Sequence, residues 1–296
     1  MSQNVYFSII IPTYNRQDLI IKCIKNIKNQ SFTNWECIIV NDGSTDSTKE
    51  HVTFEIKNDS RFKLINQKNS ERAIARNNGA KHAVGKYFIF LDSDDYFGSN
   101  HLEDLHERII KNGEFEGMYF CNGYTVKNNT KEIIHKQHIN NKEINSTFFL
   151  KNAIVPARVC IHNTIFNYLQ FDTRAIIVED TILWIEILDK FPVKFLPIDS
   201  VYYLVHETNS VNINFNNAYL QRLNGLKILF EEKEIGKKIP RRLKKNLLNR
   251  CFLGIYDYYL LKSNHLLAFS WLLKSLLYYP NIEFKYKIKR LFAFKF

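Results

Sequence analysis

The sequence predicts an α/β fold: an open, twisted, mostly parallel sheet with helices on both faces, followed by a helical, basic C-terminal extension. Three observations lead there. Short apolar runs alternate with helical periodicities through the first hundred residues. Polar, turn-forming motifs break off the strands abruptly, and after Phe215 the pattern is helical throughout. Strands separated by helices pair in parallel through right-handed crossovers, which covers both faces of the sheet.

The elements follow in order. Phe7 to Ile11 is a short apolar strand, and Arg16 to Gln30 is a helix with Leu19, Cys23, Ile24 and Ile27 on one face. Trp35 to Val40 is the second strand. It ends in NDGSTDST, where Asp46 suits the N-cap of a second helix. Phe62 to Ile65 is the third strand, Glu71 to Val84 a helix closed by Gly85, and Lys86 to Leu91 the fourth strand. From Glu116 to Val205 the pattern is mixed: EGMYFCNGYTV, KEIIHK and VKFLPIDSVYYLV read as strands, and Glu179 to Lys190 as a helix. Helices follow over Tyr219 to Glu234, Pro240 to Lys262 and His265 to Tyr279. A catalytic domain over 1–215 and a basic helical segment over 216–296 are expected, with a weaker boundary at Gly236 to Pro240.

Composition narrows the class. The chain has 296 residues, 45% hydrophobic and 24% charged, which suits a folded protein with a sizeable core. Five scattered cysteines form no C-x-x-C pair, which fits a reducing compartment and a cytoplasmic setting. The start, MSQNVYFSIIIPTYNR, has no basic n-region and its apolar run stops at Pro12, so it reads as a buried strand rather than a signal peptide. No run of 18 apolar residues is present. The net charge is +11, yet 236–296 alone carries 14 Lys/Arg against Asp257 and Glu283, so the rest of the chain is close to neutral. That local basicity, interleaved with Trp, Phe and Leu, makes an anionic membrane surface a candidate partner through 236–296 and a peripheral position on the inner face of the cell membrane a candidate location. A helical subdomain with a solvated basic face explains it equally well.

Ligands of such sheets bind beyond the carboxyl ends of the strands. PTYNR, NDGSTD and DSDD all fall there. Asp92, Asp94 and Asp95 crowd three carboxylates, a repulsion that Mg²⁺ or Mn²⁺ relieves while also gripping a diphosphate; the competing reading is an acidic turn capping the next helix. Asp42 could accept a bond from a base N–H, with Gly43 and Ser44 letting the ligand approach the backbone, and Pro12, Thr13, Tyr14 and Asn15 forming the other wall. Arg72 and Arg76 lie four apart on one helical face and could neutralise phosphate or simply be solvated. Glu179 and Asp180 sit in a helix's first turn, where acids favour the dipole and where a general base could also be held. There is no G-x-G pair, no phosphate loop with G-K-[ST], no G-x-S-x-G and no H-E-x-x-H, which sets aside dinucleotide oxidoreductases, P-loop enzymes, serine hydrolases and zinc proteases.

In order, FSIIIPTYNR, WECIIVNDGSTDST, ARNNGA, GKYFIFLDSDDYF and VEDTILWIEIL resemble the family 2 glycosyltransferases of the GT-A, Rossmann-like fold, over residues 6 to 210. The resemblance implies inverting transfer of a hexosyl or N-acetylhexosaminyl group from a nucleotide-diphosphate sugar, usually UDP-linked, to a carbohydrate or lipid-linked acceptor, as in cell-surface polysaccharide or glycolipid synthesis. It implies Pro12 and Tyr14 against uracil, Asp42 on its N3–H, Arg76 toward the diphosphate, and Asp92-Ser93-Asp94 as the D-x-D element. Asp94 or Asp95 would hold Mn²⁺ or Mg²⁺, His206 would stand near the metal, and Asp180 beside Glu179 would be the base. Asn41 and Glu71 depart from the commonest pattern, where Asp and Gly are frequent. Two other classes compete. A sugar-phosphate nucleotidyltransferase would want a Gly-rich first loop, which PTYNRQD lacks. A non-catalytic membrane or nucleic-acid binder leaves the acidic cluster unexplained, and acids repel a polyanion, so no nucleic acid is expected.

Overall fold

The computed structural model describes residues 5–128, 130–135, 139–205 and 215–292. They form two compact units: the described residues up to 173 together with 179–205, and 174–178 with the residues from 215 onward.

The first unit runs β1 (Phe7–Thr13), α1 (Gln17–Lys28), β2 (Trp35–Asn41), α2 (Thr48–Ile56), β3 (Phe62–Asn66), α3 (Glu71–Lys81), β4 (Tyr87–Phe90), β5 (Tyr96–Phe97), α4 (His101–Lys111), β6 (Met118–Cys121), β7 (Tyr124–Lys127), β8 (Thr130–Ile133), α5 (Ser146–Lys151), β9 (Val159–His162), α6 (Glu179–Lys190), β10 (Val193–Leu196) and β11 (Val201–Leu204). Seven strands make the main sheet in the order β10-β6-β9-β4-β1-β2-β3. β1 pairs in parallel with β2 and β4, β2 with β3, and β6 with β10. Only β9 runs against its neighbours β4 and β6. The predicted open, mostly parallel sheet is therefore present, with the antiparallel β9 third in its order, beside the central β4. A second sheet, β5-β11-β7-β8, stands beside it.

Period-2 alternation puts β1 in contact with both faces. Phe7, Ile9 and Ile11 join Ile20, Cys23, Ile24 and Ile27 of α1, Val52 of α2 and Leu102, Leu105 and Ile109 of α4 in one core. On the other face Ile38 and Val40 pack on Ala75 of α3. α3 lies very close to the strands there: a Cβ on Gly79 would stand 2.5 Å from Ile10 Cγ2. All five cysteines are buried and free.

Several expected details shift. The buried face of α1 uses Ile20, and Leu19 is only partly covered. Asp46 precedes α2 without being its N-cap; its Oδ1 accepts from Thr48 N at 3.0 Å and its Oδ2 from Gln17 N at 3.3 Å, so it ties the first two strand exits together. α3 stops at Lys81, and Gly85 instead lets the chain pass tightly over β1, with Gly85 N donating to Ser8 Oγ at 2.8 Å.

The second unit is helical: α7 (Phe215–Lys227), continued by a π-helical turn at Ile228–Glu232, then α8 (Glu234–Lys238), α9 (Arg241–Leu261), α10 (His265–Tyr278) and α11 (Phe284–Phe292). Leu253 and Tyr256 of α9 pack on Ala268 and Leu272 of α10. Lys287 of α11 is fully buried, and its ammonium donates to the Ser275 and Tyr279 carbonyls at 2.9 and 2.6 Å, a cation placed on the C-terminal turn of α10.

Candidate active site

Parallel pairing brings the exits of β1, β2 and β4 to one edge, and the first two are knitted together there. Asp42 N donates to Thr13 O at 2.9 Å, Asn15 N to Ser44 Oγ at 3.0 Å, and Thr45 N to Asn15 Oδ1 at 2.8 Å. Asn15 holds φ +50° and Gly43 φ +75°. At Gly43 any side chain would also collide with Asn69, whose N lies 2.6 Å from the ideal Cβ position. Pro12, Thr13, Tyr14, Asn15, Asp42, Gly43 and Ser44 thus form one contiguous lip, from which Tyr14 projects 45% exposed while the Thr13 hydroxyl is buried without a partner among the described residues.

Asp42 is 4% exposed and its Oδ1 accepts from Gln67 Nε2 at 2.7 Å and Ser70 N at 2.9 Å. Burial pushes its carboxyl above the usual range despite these bonds. Asn41 explains its own departure from the expected acid. Its amide donates to Asn66 Oδ1 at 2.9 Å and accepts from Ser44 N at 3.1 Å, both roles that an amide alone can fill.

The acidic edge is organised by one arginine. Arg76, 1% exposed on α3, donates from Nη2 to Asp92 Oδ1 at 2.7 Å and from Nη1 to Glu179 Oε1 at 2.9 Å, over the ring of Phe171 at 5.3 Å. Burial opposes its charge, but Asp92 and Glu179 outweigh that and hold it firmly protonated. Arg72 Nε lies 3.6 Å from the same Glu179 oxygen. The expected diphosphate contact of Arg76 therefore meets a guanidinium whose described bonds both go to carboxylates. Asp92 is held below the usual carboxylate range: burial works against this, and Arg76, Arg72 and Arg16 overcome it. Asp94 lies 3.8 Å from Arg16 Nη2. Asp95 points inward, accepting from Leu204 N at 3.1 Å through Oδ1, while Oδ2 is buried without a hydrogen bond among the described residues. Burial and the charges of Asp92 and Asp94 push Asp95 well above the usual range. Ser93, between them, is buried.

Glu179 and Asp180 open α6, where the preceding Val178 adopts φ +68°, an unfavourable conformation for a β-branched residue. Their environments differ. Glu179 is 4% exposed and ion-paired, whereas Asp180 is pushed up to about 6 by burial and by the neighbouring Glu179, with Arg76 partly opposing. A carboxylate with a pKa near neutrality is suited to accept a proton.

Among the described residues no three His, Cys, Asp or Glu side chains converge as a metal-ligand set; His206 lies outside the described residues. The donor chemistry still fits a hard cation. Asp92, Asp94 and the orphaned Asp95 oxygen crowd one turn, and Mg²⁺ or Mn²⁺ typically takes one or two carboxylates and completes its shell from substrate phosphate and water. Sequence reasoning passed over Arg16, Gln67 and Phe171. The signal for Gln67 was available, since it follows the exit of β3, the fourth parallel strand end.

The profile described as Glycosyl transferase family 2 matches residues 8–169. A protein named as UDP-Glc:alpha-D-GlcNAc-diphosphoundecaprenol beta-1,3-glucosyltransferase WfgD, from Escherichia coli, is 33% identical over 183 residues, covering 61% of this chain and 69% of its own. A glycosyltransferase of Rickettsia bellii is 47% identical over 108 residues, covering 36% of this chain and only 15% of its own length. The match likewise spans 33% of the Bacillus subtilis protein EpsH. In fold, Staphylococcus aureus TarS in complex with UDP-GlcNAc superposes over 92% of this chain and 81% of its own, with a TM-score of 0.66 at 18% identity. Mannosyltransferase PcManGT from Pyrobaculum calidifontis, in complex with GDP-Man and Mn²⁺, does so over 93% and 76%, with a TM-score of 0.57 at 15% identity. With its family profile matched over residues 8–169, more than half of its length, this chain belongs to glycosyl transferase family 2.

Proposed function

We propose that the protein transfers a sugar from a nucleotide-diphosphate donor, UDP-linked, to an acceptor hydroxyl with inversion at the anomeric carbon. The observation that carries this is Arg76, which spans Asp92 on the donor loop and Glu179 beside Asp180. It holds the two carboxylate groups at a fixed separation without being able to reach solvent. Asp42 accepts the base N–H, Pro12 and Tyr14 flank the ring, and the open backbone at Gly43 receives the ribose. Asp92 and Asp94 face ribose and sugar, and Asp94 and Asp95, with His206, would hold Mn²⁺ or Mg²⁺. That ion would neutralise charge developing on the departing diphosphate. Asp180 takes the acceptor proton as its oxygen attacks. The leaving group departs as an anion, so the protonating acid of glycosidases has no counterpart here, and one base suffices.

The name of the Escherichia coli relative supports a lipid-linked diphosphate acceptor. The second unit adds the matching surface. α10 is apolar almost all round: Ala268 and Leu272 are buried, while Leu266 and Leu277 are 77% and 78% exposed and Leu267, Leu273 and Tyr278 are exposed as well, with Lys274 among them. A helix without a polar face belongs against apolar surroundings, and the surplus of basic residues over 236–296 selects an anionic bilayer. No described helix is long and apolar enough to cross a membrane. The direct test of donor chemistry is thermal denaturation with UDP. At a hundredfold excess over its dissociation constant a ligand adds about 2.7 kcal/mol. Stabilisation by UDP that requires Mn²⁺ and disappears with EDTA is expected, and no response to UDP in either condition excludes the reading.

A further inference from the structure

A second group of polar atoms lies on the same sheet edge, outside the constellation above. Arg158 ends the short turn Pro156–Arg158 that leads into β9. Strand register locates it: Cys160 pairs with Ile89 of β4 and Val159 with Phe120 of β6, so Arg158 sits one step beyond, beside Cys121, on the edge where Asp92 follows β4. The side chain is 1% exposed. Its Nε donates to Cys121 O at 2.8 Å, while Nη1 and Nη2 are buried with no hydrogen-bond partner among the described residues. No carboxylate is among the described groups that bear on its charge, and burial alone drives its pKa down to about 10. His135 stands nearby and shows the same deficiency. Its backbone is fixed to the Asn122 side chain by two bonds of 3.1 Å, yet its Nε2 is buried without a partner among the described residues. Burial and the Arg158 charge push the imidazole down to about 4.

An uncompensated guanidinium is among the most unfavourable groups to bury, and buried cations are normally paired. Here three nitrogens on two neighbouring basic side chains lack a partner among the described residues: Arg158 is held at Nε by the Cys121 carbonyl, and the His135 backbone is held by the adjacent Asn122 amide, neither of them negative. The missing component is an anion. Arg158 is enclosed whereas His135 is only partly covered, so approach is from the His135 side and suits a small anionic group on a larger molecule rather than a whole sugar. We infer that Arg158 and His135 form an acceptor-side anion subsite, which takes a phosphate or carboxylate carried by the molecule to be glycosylated. The anion chemistry stands independently of the proposed transfer reaction; its assignment to the acceptor rests on that reading.

Two measurements test it separately. With EDTA present, so that a metal-dependent diphosphate site is silent, inorganic phosphate should raise the melting temperature by about 2 °C or more, and neither R158M nor H135Q should respond. A response to acetate instead of phosphate assigns the site to carboxylates. R158M without ligand should melt at or above the wild-type temperature, because an apolar side chain of similar shape removes a buried unpaired charge. A large loss of stability in R158M, with H135Q retaining the full phosphate response, makes Arg158 purely structural and overturns the proposal. So does an unchanged response in both variants, or no response to either anion in the wild type. In transfer assays R158M should raise KM at least tenfold for a phosphate-bearing acceptor, with kcat within about twofold and KM for a neutral acceptor unchanged. An inactive wild type beside an intact phosphate response would fault the transferase reading and leave the anion subsite standing.

Discussion

Two adjacent acids, Glu179 and Asp180, are given different chemistry by a few ångströms of environment. Glu179 spends its charge on Arg76 and Arg72, while Asp180, partly buried and repelled by Glu179, keeps a proton up to about pH 6. A base works deprotonated, so transfer should rise with pH through a limb near 6. In Glu179→Gln the repulsion is gone and Arg76 loses a counter-charge, and both changes favour ionised Asp180. The limb should therefore move to lower pH, and a pH–kcat/KM profile that stays in place separates the two residues electrostatically. General-base help is worth about a hundred- to ten-thousandfold, so Asp180→Asn should raise the barrier by roughly 3–5 kcal/mol. Single-turnover assays of this variant should show donor binding with little transfer; near-wild-type transfer removes Asp180 from the role.

At the level of elements, α3 matters most, because it carries Arg76 on a helix pressed against the strands at Gly79. The approach leaves no space for a methyl group: the ideal Cβ falls 2.5 Å from Ile10 Cγ2 and 3.1 Å from Val40 Cγ2. Gly79→Ala should cost about 1–3 kcal/mol by overpacking. It should also weaken transfer beyond what stability explains, because lifting α3 draws Arg76 away from Asp92 and Glu179. Chemical denaturation combined with assays well below the midpoint checks both parts; full activity in a destabilised variant would detach α3's depth from the site. β9 illustrates the limit of local reading. Val159–His162 is only four residues between two 3₁₀ turns, too short for any periodicity, yet it supplies the antiparallel strand that joins the β6–β10 pair to β4.

For the whole molecule, a family 2 unit with its site at the strand ends is joined in sequence to a helical unit that gathers the positive charge. Vesicle flotation tests what that charge does. Binding to anionic vesicles should exceed binding to neutral ones and should weaken with salt. Leu273→Glu with Leu277→Glu, both on the exposed face of α10, should abolish it without altering UDP stabilisation. Equal binding to neutral and anionic vesicles would contradict electrostatic docking, and a concentration-dependent dimer lost in the same double variant would assign the face to a second copy of the chain.

Much of this was written in residue order. Strand–helix alternation, the polar motifs at strand exits and the Glu179–Asp180 pair were legible because each depends on local periodicity or on residue types a few positions apart. The parallel sheet and the meeting of PTYNR with NDGSTD followed from them. Other features depend on distances between residues remote in sequence, and only the tertiary structure decided those. Arg76 reaches Glu179 across 103 positions, Asp95 turns inward to a strand 109 positions away, and the Arg158 terminal nitrogens are buried without a partner among the described residues. Charge and burial act through space, so a sequence can name the groups that ionise, but the fold decides which of them are paired, repelled or left waiting for a ligand.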